Sequence, residues 1–470
     1  MGKNITLFNP PFVYFPGIKR ARYNYSRPPL GLCYIAGYLR KQRPGQDNIR
    51  IIDSISRNPD RNEIVKEIAG TSPDIVGFSV VTSSAPEAIS IAGKLREALP
   101  GCLLVAGGPH ATICPDELAG AFDIVAAGEG EKTFHEIVES SCGGNGFEHI
   151  KGIVTIRDGK IVRTPPRELI MPLDDIPPPA RELLVSSDYY HSFPYRSKGL
   201  FTTMFTTRGC PNNCYFCSNE ALWNRTIRFN SKEYAAAELD LIVDRGGATL
   251  VFIDDDNFLT NKERAIDICE AIIRHGNGLR WICHACARNI DEDALKCMKE
   301  AGCVEIQIGV ESGSNKILNT LSKCADTAQV MEKFRLLKKY GIHSWATFII
   351  GHDRDTRETI METINYSIKL NPTYASFIAL LPLPGTKVFE EFKKKGYLKT
   401  TDWNKYTWHG YPVFETPELK SDELVELRTL AQKRFYLRPG KMAALLWHTL
   451  ASGSCKEMLR NFFSWLSVIR

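Results

Sequence analysis

The chain alternates short apolar runs with longer stretches that are apolar along one side only. Over residues 1–145, the runs Ile5–Phe8, Ile49–Ile52, Ile75–Ser79, Leu103–Ala106 and Ile124–Ala127 have the length and β-rich content of buried strands. Leu30–Lys41, Glu63–Ala69, Glu87–Leu99 and Lys132–Ser140 carry helical spacing. Strands joined in this way by helices predict a parallel, doubly wound α/β sheet. Ligands on such sheets sit beyond the carboxyl ends of the strands. The segments there are Asn9–Phe12, Ser79–Ser84, Gly107–Thr112 and Gly128–Glu131. Gly107, Gly108 and Gly128 let backbone approach a flat or bulky ligand, and hydroxyls such as that of Ser79 suit a polar tail.

Residues 146–195 break the rhythm. Ile153–Ile156 and Ile161–Arg163 flank Asp158-Gly159 and predict a hairpin. Pro165-Pro166, Pro172 and Pro177–Pro179 then predict a stiff linker and a domain boundary. From residue 196 the alternation restarts. Strands are expected at Phe201–Thr207, Leu250–Ile253, Trp281–Ala287, Val304–Gly309, Ser344–Ile350 and Tyr374–Leu380. Helices are expected at Lys232–Asp244, Glu263–His275, Glu292–Ala301, Thr327–Tyr340 and Arg357–Leu370. Six strand–helix repeats over residues 196–395 fall short of the eight that close a barrel. Residues 396–470 form a C-terminal extension.

Composition narrows the class. A chain of 470 residues needs two or three domains, and 43% hydrophobic with 24% charged residues is ordinary for a soluble globular protein. A net charge of +5 is slight at this length and gives no argument for nucleic acid. The start lacks the apolar run of a signal peptide, and no stretch of about 18 apolar residues spans a membrane; a cytoplasmic protein is expected. Fourteen scattered cysteines do not form a secreted disulfide framework. Cys283 and Cys286 imitate a redox or zinc pair, but an odd spacing in a strand puts the sulfurs on opposite faces.

Cys210, Cys214 and Cys217 are different. They fall as C-x-x-x-C-x-x-C in a segment that Gly209, Pro211, Asn212 and Asn213 make a loop, a poor place for apolar core cysteines. Three thiolates can wrap one iron–sulfur cube and leave its fourth iron open. A closed electron-transfer cluster or a structural zinc site needs a fourth ligand, and none is evident nearby. With Phe216 just before the last cysteine, the triad resembles that of the radical S-adenosylmethionine (SAM) superfamily. The resemblance implies an open, partial (β/α)6 barrel with a 4Fe-4S cluster at the carboxyl end of its first strand. SAM would chelate the open iron and be cleaved to a 5′-deoxyadenosyl radical. The loops of residues 5–139 resemble the cobalamin-binding domain found in front of many such enzymes. The D-x-H-x-x-G motif that supplies a lower cobalt ligand is missing, since Asn9-Pro10-Pro11 stands there. Cobalamin without a protein histidine, or a relic domain that binds nothing, both remain. His110 is a candidate cobalt-side group or a packing residue.

The same resemblance implies roles at the other strand ends. Asp255, within Asp254–Asn257, falls where the SAM amino group is held. Arg288 is placed to pair with the SAM carboxylate, or else forms a rim salt bridge. Glu311 and Ser312 fall where the ribose is bound. Gly351 and His352 fall near the adenine. No residue is assigned a general acid or base role.

Trp403, Tyr406, Trp408, His409 and Tyr411 either wall an apolar substrate or pack on the barrel. The final stretch, with Trp447, Arg460, Phe462, Phe463, Trp465 and Arg470, suits a peripheral membrane contact or a docked helix equally. Together these features resemble the cobalamin-dependent radical SAM methyltransferases and the anaerobic magnesium-protoporphyrin ester cyclases. The resemblance implies a small-molecule, lipid or tetrapyrrole substrate and an electron donor such as flavodoxin or ferredoxin. The rival outside enzymes is a cobalamin or iron–sulfur sensor.

Overall fold

A computed structural model describes residues 2–12, 27–57, 59–144, 146–185, 189, 200–276, 278–323 and 325–452. They form two compact units: Met1–Asp188 with Asp402–Thr407, and Tyr189–Thr401 with Trp408–Arg470.

In the first unit, strands β1 (Asn4–Asn9), β2 (Asn48–Asp53), β3 (Ile75–Ser79), β4 (Leu103–Gly107) and β5 (Ile124–Ala126) pair in parallel in the order β2-β1-β3-β4-β5. Alternate side chains serve opposite faces. Phe8, Val76, Phe78 and Leu104 pack into one core, while Ile5, Leu7, Ile75 and Val105 pack into the other. Covering both faces is why these strands read as continuous apolar runs. The helices Leu30–Gln42, Arg61–Ala69, Ala85–Ala98 and Gly130–Gly143 agree with expectation to within a few residues.

The hairpin differs from expectation in where it belongs. Ile153–Arg157 (β6) and Lys160–Arg163 (β7) are antiparallel, and β6 joins the edge of β5. The hairpin therefore extends the first sheet to seven strands instead of opening a linker. Asp158 and Gly159 both take positive φ, as a two-residue turn between right-twisted strands requires.

In the second unit, β8 (Leu200–Met204), β9 (Ala248–Ile253), β10 (Arg280–His284), β11 (Cys303–Glu311), β12 (His343–Ile350) and β13 (Tyr374–Ala379) form one parallel sheet in sequence order. β8 and β13 do not pair, so the barrel is open. Val251, Ile253, Trp281, Cys283, Ile306 and Ile308 fill its core with the helices. Cys283 is wholly buried there, but the strand ends at His284 and Cys286 lies half-buried beyond it, so the two do not occupy opposite faces of one strand as expected. The helix after β8 ends at Asp240 and continues as one π turn, Leu241–Arg245. Two further helices, Ser421–Tyr436 and Pro439–Ser452, close the described chain. Arg460, Phe462, Phe463, Trp465 and Arg470 lie outside the described residues.

Candidate active site

The three cysteines follow the first strand of the second sheet. Thr207–Arg208 pairs antiparallel with Arg228–Phe229, and this short ladder anchors the loop. Gly209 has φ +90, and a Cβ there would meet the Thr226 carbonyl oxygen at 2.0 Å, so only glycine fits. The loop is then tied down by side chains. Asn219 accepts from the Cys210 N–H at 3.1 Å and donates to Asp256 at 2.8 Å. The Tyr215 N–H donates to the Leu321 carbonyl at 3.3 Å, and the Tyr215 hydroxyl donates to Glu391.

Burial pushes all three thiols up, Cys214 to about 11. A lone thiolate is therefore unfavourable here unless cationic metal accompanies it. The spacing tests which metal. Among the described residues, only Asp240, Asp244 and His275 bring three ligand atoms within 4.8 Å of one another. The three sulfurs are thus more spread than the roughly 4 Å that Zn–S bonds of about 2.3 Å allow around one ion. They fit a cluster of several irons.

Glu311 ends β11 across a break in register with β12 and has φ +67, rare for a residue with a side chain. It is buried. Its Oε1 lies 2.9 Å from Lys323 Nζ, while its Oε2 has no partner. Lys323 in turn lies 5.9 Å from the centroid of the Phe216 ring. Desolvation works against its charge, but Glu311 and Cys214 outweigh that and hold the ammonium above its usual range. His352 lies 6.3 Å from the same ring, is fully buried, and has both ring nitrogens unpartnered. An orphaned carboxylate oxygen and an orphaned imidazole beside one aromatic ring fit a polar ligand with hydroxyl donors and a flat base. Lys323 was not indicated by the sequence. It belongs to a turn after the helix Asn315–Thr320, with no motif spacing to Glu311.

Desolvation lowers the His352 pKa, with Asp355, Glu311 and Asp353 opposing. The unfolded chain therefore takes up a proton that the folded one refuses. This contribution to stability is complete above the unfolded value of about 6.5 and is lost as pH falls from there toward the depressed folded value. Thermal melts from pH 7.5 to 5.5 should show a falling Tm, and His352→Gln should flatten the slope. An unchanged slope contradicts a buried neutral imidazole.

The other expected residues are placed as follows. Asp255 does not face a ligand. It is fully buried and accepts from the Thr206 and Thr207 N–H groups at 2.7 and 2.9 Å, and from the Thr206 hydroxyl. It pins the cysteine loop's first residues. The Ser312 hydroxyl is likewise spent within its own turn, 3.0 Å from Thr363 Oγ1 and accepting from the Ser314 N–H. Arg288 is exposed and lies 3.5 Å from Asn212 Oδ1, on the cysteine loop. Gly351 has φ +90 and donates its N–H to Asp355.

In the first unit, Ser79 and Gly107 sit opposite each other at the strand ends. Gly108 has φ +97, and a Cβ would meet the Val80 backbone at 2.9 Å. Gly128 has φ +101 with open space beside it, and its N–H donates to Thr112 Oγ1. These ends fit a ligand approached by bare backbone. His110, in the short helix that follows Gly108, is wholly buried. Its Nδ1 is 3.3 Å from Thr82 Oγ1 and its Nε2 is 3.5 Å from Glu117 Oε2. Trp403 packs edge-on against its ring and donates to Glu117 at 2.6 Å. Trp403 and Tyr406 thus belong to the first unit, against whose core Trp403 packs, and Tyr406 is buried beside it.

The family model of the Radical SAM superfamily matches residues 204–367, and that of the B12 binding domain matches residues 18–138. The chain is 34% identical to an uncharacterized methyltransferase of Pyrococcus horikoshii over 88% of both chains. It is 27% identical to the anaerobic magnesium-protoporphyrin IX monomethyl ester cyclase of Cereibacter sphaeroides, over 88% of this chain and 68% of that one. Among solved structures, the cobalamin-dependent SAM radical enzyme OxsB superposes with a TM-score of 0.74 at 18% identity, covering 98% of this chain and 71% of that one. The radical SAM methyltransferase TsrM of Kitasatospora setae gives 0.68 at 18% identity, over 84% and 75%. The order and connection of the two folds agree in these likenesses.

Proposed function

This chain belongs to the radical SAM enzymes that carry a B12-binding domain, and from that premise we propose that it methylates an unactivated carbon of a small-molecule, lipid or tetrapyrrole substrate. The observation that carries the reading is the unpaired Glu311 oxygen at the cysteine loop of a chain that also has a B12-binding fold. When bound, the cluster with SAM supplies hydrogen-atom abstraction, and cobalamin supplies a methyl carrier. The protein's own task is placement. Cys210, Cys214 and Cys217 hold the cluster. Glu311 Oε2 accepts from sugar hydroxyls, and Phe216 and His352 wall the base. The bare backbone at Gly107, Gly108 and Gly128 would hold the corrinoid, with no D-x-H-x-x-G histidine in this chain to ligate it.

Anaerobic holoprotein incubated with methyl-labelled SAM and extract of a deletion strain should yield a product carrying the label. The second reading, oxidative ring closure, is favoured by the 27% identical cyclase. It predicts a product without label that has lost hydrogen. An external one-electron donor such as flavodoxin or ferredoxin would reduce the cluster for SAM cleavage in either reaction.

The C-terminal helix supports a lipid-surface contact. Met442, Leu446 and Trp447 are exposed, Trp447 by 71%. From Leu427 to Cys455 the chain has Arg428, Lys433, Arg434, Arg438 and Lys441 but no acidic residue. No described helix is long and apolar enough to cross a membrane. Arg428, Arg438 and Lys441 bond carbonyl oxygens of the chain, while Lys433 and Arg434 are exposed, and exposed apolar side chains on a helix preceded by exposed cations suit an anionic bilayer surface. Co-sedimentation with anionic vesicles should weaken about tenfold in Trp447→Ser and fall further in high salt. Wild-type binding by the variant contradicts the contact.

A further inference from the structure

We propose that Lys323 is a positioning residue: it holds one oxygen of Glu311, presents the other to the bound nucleoside, and couples that contact to the cysteine loop. This rests on the reading of Glu311 as a SAM contact.

The geometry is specific. Lys323 Nζ takes Glu311 Oε1 at 2.9 Å, both side chains being largely out of solvent, and leaves Oε2 without a partner. An isolated buried carboxylate is costly. The ammonium partner at 2.9 Å offsets that cost, and a carboxylate oxygen held this way is a strong acceptor for hydroxyl donors. Gly309 leaves the room for this. A Cβ there would meet Glu311 Oε1 at 2.2 Å and Lys323 Nζ at 3.2 Å. The positive φ of Glu311 folds its side chain back over that glycine.

The lysine also reaches the cysteine loop. Leu321, two residues before it, takes the Tyr215 N–H on its carbonyl, and the ammonium itself lies by the Phe216 ring. A fixed cation beside the cluster favours the more negative, reduced state and so raises the reduction potential. One side chain therefore orients the nucleoside contact and eases electron entry.

The test uses anaerobically reconstituted holoprotein, with iron content, SAM affinity by equilibrium dialysis and cluster midpoint potential by EPR-monitored titration. Lys323→Met should keep its iron, bind SAM about tenfold or more weakly, as losing one charged hydrogen bond implies, and show a more negative potential. Lys323→Arg should restore most of both. Lys323→Met combined with Glu311→Gln should be no weaker than the weaker single variant, since the two residues act as one unit. Wild-type affinity and potential in Lys323→Met, with Glu311→Gln weakened, would overturn the proposal alone. Wild-type affinity in Glu311→Gln overturns the reading beneath it, and the proposal with it. Should Lys323→Met lose iron, Gly309→Ala carries the test, because it displaces the pair while leaving the lysine and the cysteines in place. Wild-type SAM affinity in that variant overturns the proposal.

Discussion

Changing any one of Cys210, Cys214 or Cys217 to Ala should reduce SAM cleavage to background and remove the visible absorbance of the reconstituted cluster. On the proposed assignment each thiolate would hold its own iron, so no neighbour would substitute for it. The loop is over-determined by Gly209, by the Asn219 bridge and by the Tyr215 contacts, and the change should leave its fold intact. Far-ultraviolet circular dichroism should therefore match wild type while iron content falls. Normal cleavage in all three single variants would sink the assignment.

Asp255→Ala should be the most damaging change that touches no cofactor. The carboxylate is fully buried and accepts two backbone N–H groups and a hydroxyl. Arg264 lies close enough to offset part of its desolvation. Leaving these buried donors without their acceptor costs about 1–3 kcal/mol for each unsatisfied group. A large drop in the melting temperature of the second unit is expected, with loss of iron following from the loosened loop. Asp255→Asn keeps the shape and should fall between the two. A variant that melts like wild type but binds SAM poorly would restore Asp255 to a ligand contact.

The parallel strands of both sheets were legible because they are apolar runs bounded by turn residues, whereas Lys160–Arg163 is exposed along its whole length. Helix limits were legible for the same reason, apart from the π turn at Leu241–Arg245, where apolar spacing continues through a change of winding. The hairpin was read correctly as local structure but placed outside the sheet. Nothing in Ile153–Arg163 says that its first strand meets Val125 and Ala126. The cysteine triad was legible because its chemistry is local in sequence. Glu311 was legible only through its place at a strand end. Lys323 was invisible, since its partnership is made by a register break and a positive φ. Asp255 and Ser312 were misread for a related reason. Strand-end polar residues satisfy backbone donors as readily as ligands, and sequence does not say which. Trp403 and Tyr406 return from the chain's second half to the first unit, a long-range event with no local signal.

The account stands or falls on a cluster with one iron left open for SAM. Mössbauer spectra of protein reconstituted with iron-57, recorded with and without SAM, test this directly. The account predicts that one iron of the four changes its isomer shift on addition of SAM while the other three do not, and that Glu311→Gln needs more SAM for the same change. Four equivalent irons that ignore SAM, or a cluster of another nuclearity, would contradict it.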